Sequence, residues 1–158
     1  RDARVAAPGH RISLETLEDP RLSVVDGDPD QLRQVLANLL ANATGHTPRR
    51  TPVTVTVSGD SGGTTVRVRD RGPGLEPGSE ELVFDRFWRP AGARTRDEGG
   101  SGLGLAIVEA IVSAHGGAVT AANAPGGGAE FTVRLPRHDP ELTASSEASL
   151  TVASTSGS

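Results

Sequence analysis

The chain has 158 residues, 16 Lys and Arg against 20 Asp and Glu, a formal net charge of −4, and no cysteine. That length allows one domain with a core of its own, and 3 Phe, 1 Trp and no Tyr leave the core to Leu, Val, Ile and Ala. The acidic balance argues against a nucleic-acid module, whose footprint is basic, and the missing cysteines exclude disulfides and thiolate zinc sites and fit a reducing compartment.

No apolar run approaches the roughly 20 residues that cross a bilayer, and no signal peptide is visible. A chain without methionine that opens RDARVAAPGH reads as a piece of a longer protein. Residues 1–10 lack periodicity and are expected as a lead-in from an upstream domain. Ile12, Leu14 and Leu17 alternate with polar residues, as do the apolar positions around Leu22 to Val25, and both stretches predict short strands. Asp28-Pro29 predicts a helix start, with Asp28 as N-cap and Pro29 at the first helical position. Leu32, Val35, Leu36, Leu39, Leu40 and Ala43 then recur at helical spacing to about Thr44, before Gly45 and Pro48.

Val53, Val55 and Val57 alternate with threonines, Gly59 to Gly63 turn the chain, and Val66 and Val68 alternate with arginines, a hairpin of half-buried strands. Asp70 to Gly78 is rich in breakers. Glu80 to Trp88 carries Phe84, Phe87 and Trp88, and Pro90 to Gly100 reads as a mobile loop. Leu103 to Ala114 is a second helix, closed by Gly116-Gly117. Two strands, Ala118 to Ala122 and Glu130 to Leu135, flank the turn Ala124 to Gly128. Residues 137–158 are charged and Ser/Thr/Ala-rich and read as a disordered tail. Strands half-buried on one face need helices on that face alone. The expected class is α+β, an open two-layer α/β sandwich with a mixed, mostly antiparallel sheet.

Four polar or glycine-rich stations carry the chemistry. Asn38 and Asn42 lie one turn apart in a Leu/Val/Ala-rich helix where Asn is a poor helix former. They are either solvated residues or carbonyl ligands for a hard cation such as Mg²⁺. Asp70-Arg71-Gly72-Pro73-Gly74 follows a strand and is either an ordinary turn or a site where a carboxylate accepts from an exocyclic amine beside glycines that admit a flat base. Gly99, Gly100, Gly102 and Gly104 lead into the second helix, whose N-terminal amides attract phosphate; a hinge is the plainer reading. The fourth station is Gly126 to Phe131. A Rossmann unit does not fit, since the glycine run follows a long loop rather than a strand. Nor does a Walker loop, because Leu103-Gly104 stands where Lys-Ser/Thr belongs.

Together the stations resemble the catalytic and ATP-binding domain of bacterial two-component sensor histidine kinases, in the superfamily that also holds gyrase, Hsp90 and mismatch-repair proteins. DPDQLRQVLANLLANATGHTP resembles the N box, DRGPG the G1 box, FDRFWR the F box, GGSGLGLAIVEAIVSAHGG the G2 box, and GGGAEFTVRLP the closing strand. The resemblance spans roughly residues 10 to 136, and an ordered five-part match is specific. It implies a Bergerat-type fold that binds ATP and Mg²⁺, with Asn42 on the metal and Asn38 at its water and phosphates. Asp70 would take the adenine amino group, Gly72 and Gly74 would shape the base pocket, and Phe84 and Phe87 would anchor the lid. Arg86 would lie near the γ-phosphate, and Gly100, Ser101, Gly102, Leu103 and Gly104 would wrap the phosphates. Asn38 and Arg86 are the implied catalytic residues, His46 and Ala129 further members of the pocket.

Three departures stand out: Gly45 where a basic residue is frequent, His46 where an aromatic ring often covers the base, and Ala129 where Ser or Thr is frequent. None of His10, His46, His115 and His138 lies in an acceptor motif. The implied reaction is therefore transfer of the γ-phosphoryl group to a histidine on a separate dimerisation and phosphoacceptor domain of the same parent. From there it would pass to the receiver domain of a response regulator. No nucleic acid partner and no membrane contact by this fragment are expected, and the parent is expected to be an inner-membrane sensor with this domain in the cytoplasm. An anti-sigma-factor-type serine kinase and a non-catalytic ATP-sensing or docking module are the alternatives.

Overall fold

The computed structural model describes residues 2–7, 9–17, 24–45, 47–88 and 103–137. Six strands form one sheet in the order β1-β2-β3-β4-β6-β5: β1 Asp2–Ala7, β2 His10–Leu17, β3 Pro52–Asp60, β4 Gly63–Asp70, β5 Ala118–Asn123 and β6 Ala129–Pro136. Every neighbouring pair is antiparallel except β2 and β3, which are parallel and joined through helix α1, Pro29–Gly45. Helix α2, Gly104–Ala114, packs beside α1. The expected mixed, mostly antiparallel sheet with its helices on one face is the observed fold.

Local chemistry accounts for the ends of these elements. Asp28 caps α1, its Oδ1 accepting the N–H groups of Asp30 at 2.9 Å and Gln31 at 3.3 Å, which satisfies two of the donors a helix start leaves open. The β3–β4 turn is tied by Asp60, whose Oδ1 accepts from Gly62 and Gly63. After α2 the Gly117 N–H reaches the Val112 carbonyl and the Gly116 N–H that of Ser113, a Schellman closure. His115 joins this end to the start of α1. Its Nδ1–H donates to the Ile111 carbonyl at 2.8 Å, and its Nε2 accepts the Asp28 N–H at 3.1 Å.

The core lies between helices and sheet. Val35, Leu39 and Ala43 from α1 and Val108 and Val112 from α2 meet Val53, Val55, Val68, Phe131, Val133 and Leu135 from the sheet. Register lines up the inward side chains in rows, Val55–Val68–Phe131–Ala121 and Val57–Val66–Val133–Val119. Full burial of one such side chain contributes roughly 1.5–3 kcal/mol.

Two expectations change. Residues 2–7, expected as lead-in, form an edge strand; DARVAA lacks strict alternation, and its order comes from the backbone ladder with β2. The strand expected over Leu22 to Val25 does not form at Val24 and Val25, which are irregular, while 21–23 lie outside the described residues. The expected aromatic segment holds a short 3₁₀ turn, Leu82–Phe84. The loop Pro90 to Gly100 and the tail beyond 137 lie outside the described residues.

Candidate functional site

Asp70 is the last residue of β4, opposite Val53, and its parity along the strand is that of Val66 and Val68. Alternation therefore turns a carboxylate toward the helix-covered face, where it is 4% exposed. A buried carboxylate requires hydrogen bonds, and Oδ1 has two, from the Gly72 N–H at 2.9 Å and the Ala129 N–H at 3.2 Å. Among the described residues nothing bonds Oδ2, and Asp70 lines a cleft of about 410 Å³, within the size range of small-molecule sites. The carboxylate is thus oriented through one oxygen and presents an acceptor with the other.

Around Asp70 the cleft is lined by Asn42, Gly74, Ala129 and Phe131, with Val83, Trp88 and Leu105 among its apolar members. Gly128 makes the approach of β6 possible: its φ is +87°, and a Cβ there would lie 2.0 Å from the Asp70 carbonyl oxygen. Asn42 is half-buried on α1 and offers an amide oxygen, a hard donor suited to Mg²⁺. At the start of α2 the first helical bond runs from Ile107 N–H to the Leu103 carbonyl, so the amides of Gly104, Leu105 and Ala106 have no partner within the helix. Among the described residues no side chain caps that end. The donor set therefore fits a nucleotide and its cation: one fixed carboxylate acceptor, one amide oxygen, apolar walls, and an open helix N-terminus.

The residues singled out in the sequence divide clearly. Asn42, Asp70, Gly74 and Ala129 line one cleft, and Gly72 donates to Asp70. Asn38 is not among the cleft-lining residues; its Nδ2 donates to the Gly104 carbonyl at 3.1 Å, and its Oδ1 accepts from Gln34. It ties the start of α2 to α1, one turn before Asn42. Gly104 and Leu103 form that α2 start. Phe84 is buried and meets Phe131 edge-on at 6.1 Å, which places it behind the cleft wall. Phe87 is 69% exposed with φ +63°, and Arg86 is exposed; neither lines the cleft. His46, Gly100, Ser101 and Gly102 lie outside the described residues.

Sequence reasoning had Gly128 only as part of the Gly126 to Phe131 station, without a role of its own, and missed Leu105, Val83 and Asn123. Leu105 carried a usable signal, as a helix-face residue one place after Gly104 at the exposed helix start. Asn123 binds the backbone of Leu75, 48 residues away, a pairing with no local signature. Of the histidines, the two described ones are both engaged. His115 uses both ring nitrogens on backbone groups. His10 Nε2 lies 3.0 Å from Thr47 Oγ1, whose own proton goes to the Ala43 carbonyl, so Nε2–H is the donor.

Comparison with known proteins agrees with this geometry. The family model described as "Histidine kinase-, DNA gyrase B-, and HSP90-like ATPase" matches residues 27–139. The "Probable sensor histidine kinase TcrY" of Mycobacterium tuberculosis is 44% identical over 135 residues, covering 85% of this chain and 28% of that protein. "Signal transduction histidine-protein kinase AfsQ2" of Streptomyces coelicolor is 47% identical over 110 residues, 70% of this chain and 20% of its own length. Among solved structures, the mycobacterial sensor histidine kinase MprB superposes with a TM-score of 0.66 at 33% identity, covering 80% of this chain and 83% of that one. Full-length ShkA in complex with AMPPNP gives 0.66 at 35% identity, over 82% of this chain and 26% of its own. The chain spans about a third or less of the length of these curated relatives.

Proposed function

Because the chain belongs to the histidine kinase-, DNA gyrase B- and HSP90-like ATPase family, we propose that it binds ATP with Mg²⁺ and serves as the phosphoryl-donor half of a sensor histidine kinase. The acceptor histidine then stands on a separate dimerisation and phosphoacceptor domain of the same parent, and a response-regulator receiver domain follows it. The observation that carries the reading is the buried Asp70, held through Oδ1 with Oδ2 left to the cleft. An acceptor-only carboxylate facing the 6-position selects the amino group of adenine over the carbonyl of guanine.

ATP with its cation would supply the transferable phosphoryl group and the positive charge on its oxygens. The chain's part is positioning and electrostatics. Asn42 would hold Mg²⁺ through its amide oxygen. The open amides at the start of α2 face anionic groups favourably. Asn38 fixes that helix start against α1 through Gly104. Asn38 is no general base, which suits transfer to a histidine better than hydrolysis. The engagement of His10 and His115 with their neighbours supports an acceptor on another domain. A membrane-anchored parent with this domain in the cytoplasm is consistent with the relatives being sensors by name.

The test combines the chain with a separately expressed acceptor domain and γ-labelled ATP. Acid-labile, base-stable label on histidine is expected. Label on serine would point to a serine kinase, and nucleotide binding without transfer to a sensing module. Asp70→Asn is expected to weaken ATP by about 10²-fold while the fold persists: Asn retains the Oδ1 acceptor but places a donor where Oδ2 was, and a bond to a charged acceptor is worth about 1.5–3 kcal/mol. Unchanged affinity in a calorimetric titration would sink the assignment.

A further inference from the structure

The loop from Arg71 to Leu75 and the turn from Asn123 to Gly128 are far apart in the chain and meet at the base of the cleft. Asn123 ends β5 opposite Ala129, and although it is exposed both ends of its side-chain amide are engaged. Its Oδ1 accepts the Leu75 N–H at 2.6 Å, and its Nδ2 donates to the Leu75 carbonyl at 3.1 Å. A side chain here does what a neighbouring strand does elsewhere, satisfying both backbone groups of one residue. The fit is close, since a Cβ on Gly74 would lie 2.6 Å from the same Oδ1. From the opposite face of the sheet Arg69 Nη2 donates to the Pro125 carbonyl at 2.6 Å, which steadies the turn that follows Asn123.

Resting on the adenine-nucleotide reading of the cleft, we infer that Asn123 is a positioning residue for base selection. It fixes the Gly74–Leu75 wall relative to Asp70 Oδ2, so that the width between them admits a purine whose exocyclic amine meets the carboxylate. Among the described residues, the loop from Arg71 to Leu75 has only two side-chain anchors: Asp70 on the Gly72 amide and Asn123 on Leu75. The first sets the carboxylate and the second sets the wall facing it. Gly72 and Gly74 leave the intervening backbone with many accessible conformations, so removing the second anchor frees the wall while the carboxylate stays bonded. Asn123 is an exposed strand end and both of its partners are backbone groups of the loop residue Leu75, so losing them costs the fold little, about the worth of two solvent-accessible hydrogen bonds.

The experiment is titration calorimetry of the full chain with Mg²⁺ against ATP, purine riboside triphosphate (which lacks the 6-amino group) and inorganic tripolyphosphate. The wild type is expected to prefer ATP over the deamino analogue by about tenfold. In Asn123→Ala that preference falls to about twofold, ATP weakens about fivefold, and tripolyphosphate affinity is unchanged. Val119→Ala, a half-buried change in the same strand, controls for loosening of β5 and keeps the full preference. Should the alanine variant fold poorly, Asn123→Asp keeps the Leu75 N–H partner, loses the donor, and is also expected to lower the preference. An Asn123 variant that keeps the tenfold preference, or a Val119→Ala that loses it equally, overturns the inference and leaves the nucleotide reading standing. A wild type that binds no nucleotide, or does not discriminate, overturns both.

Discussion

Gly128→Ala separates two costs that usually arrive together. At φ +87° any L-residue is strained, by about 1–2 kcal/mol. The new Cβ would also sit 2.0 Å from the Asp70 carbonyl oxygen, 2.8 Å from its carbon and 3.0 Å from Arg71 Cα, all backbone atoms that cannot swing aside. Restoring an ordinary contact of 3.4 Å means opening the β4–β6 junction by 1.4 Å, the difference between 3.4 and 2.0. The Ala129 N–H bond to Asp70 is already 3.2 Å long and does not survive that displacement. Its loss leaves a buried carboxylate short of a donor, worth about 1.5–3 kcal/mol. The sum is about 2.5–5 kcal/mol, or a fall in Tm of roughly 10–20 °C at about 4 °C per kcal/mol. Gly78→Ala is the matched control: its φ is +85°, and nothing lies within 4 Å of the added Cβ. It should show the dihedral cost alone and bind nucleotide normally. Thermal melting by circular dichroism and ATP titration read both effects. Equal losses of stability in the two variants would refute the close-packing argument.

The helix start gives a smaller effect. Asp28→Ala removes the acceptor for the Asp30 and Gln31 amides and should cost about 1 kcal/mol, while Asp28→Asn retains most of it; identical melting of the two variants would count against the cap. At the β3–β4 turn, the Arg134 guanidinium 3.0 Å from Asp60, aided by the Gly62 amide, holds the Asp60 carboxyl below its ordinary value of 3.8. A depressed folded-state pKa contributes stability above the unfolded value and loses it as pH falls through the folded one. The gap in urea midpoint between wild type and Asp60→Asn should therefore be small near neutrality and close below pH 3.8; a gap that ignores pH would contradict this pairing.

What the sequence could reveal was whatever repeats or clusters locally. The α1 stripe, the Val/Thr alternation of β3 and the Gly-Gly after α2 each dictate an element through near neighbours. The parity of Asp70 with Val66 and Val68 was also readable, and it marks a carboxylate aimed into the core. Asn42, Gly74 and Ala129 were picked out through their motifs and do share a cleft. Asn38 was read as a site residue from its motif; its bond to the Gly104 carbonyl, a partner 66 residues on, had no local signal. Asn123 escaped, and Gly128 was read only as one glycine of its station, for a related reason: their importance arises from strand register between β4 and β6 and between β5 and β6. Nothing in the neighbouring residues encodes that register. Likewise β1 draws its order from the ladder with β2, not from its own pattern.

The order of strands carries a consequence for how the cleft comes into being. The β1–β2, β3–β4 and β5–β6 pairs are each joined by short turns, whereas β2–β3 and β4–β6 are long-range seams. Local pairs close cheaply, and distant ones must first overcome loop-closure entropy. Asp70 and Ala129 face one another across the β4–β6 seam, 59 residues apart. The expectation is that hairpins form early and that the base-binding carboxylate acquires its orientation only when the last seam zips. Pulse-labelled hydrogen exchange would then protect the Ala129 amide later than those inside the β3–β4 hairpin. Its protection at the same time as the hairpin would mean that the cleft forms together with the sheet.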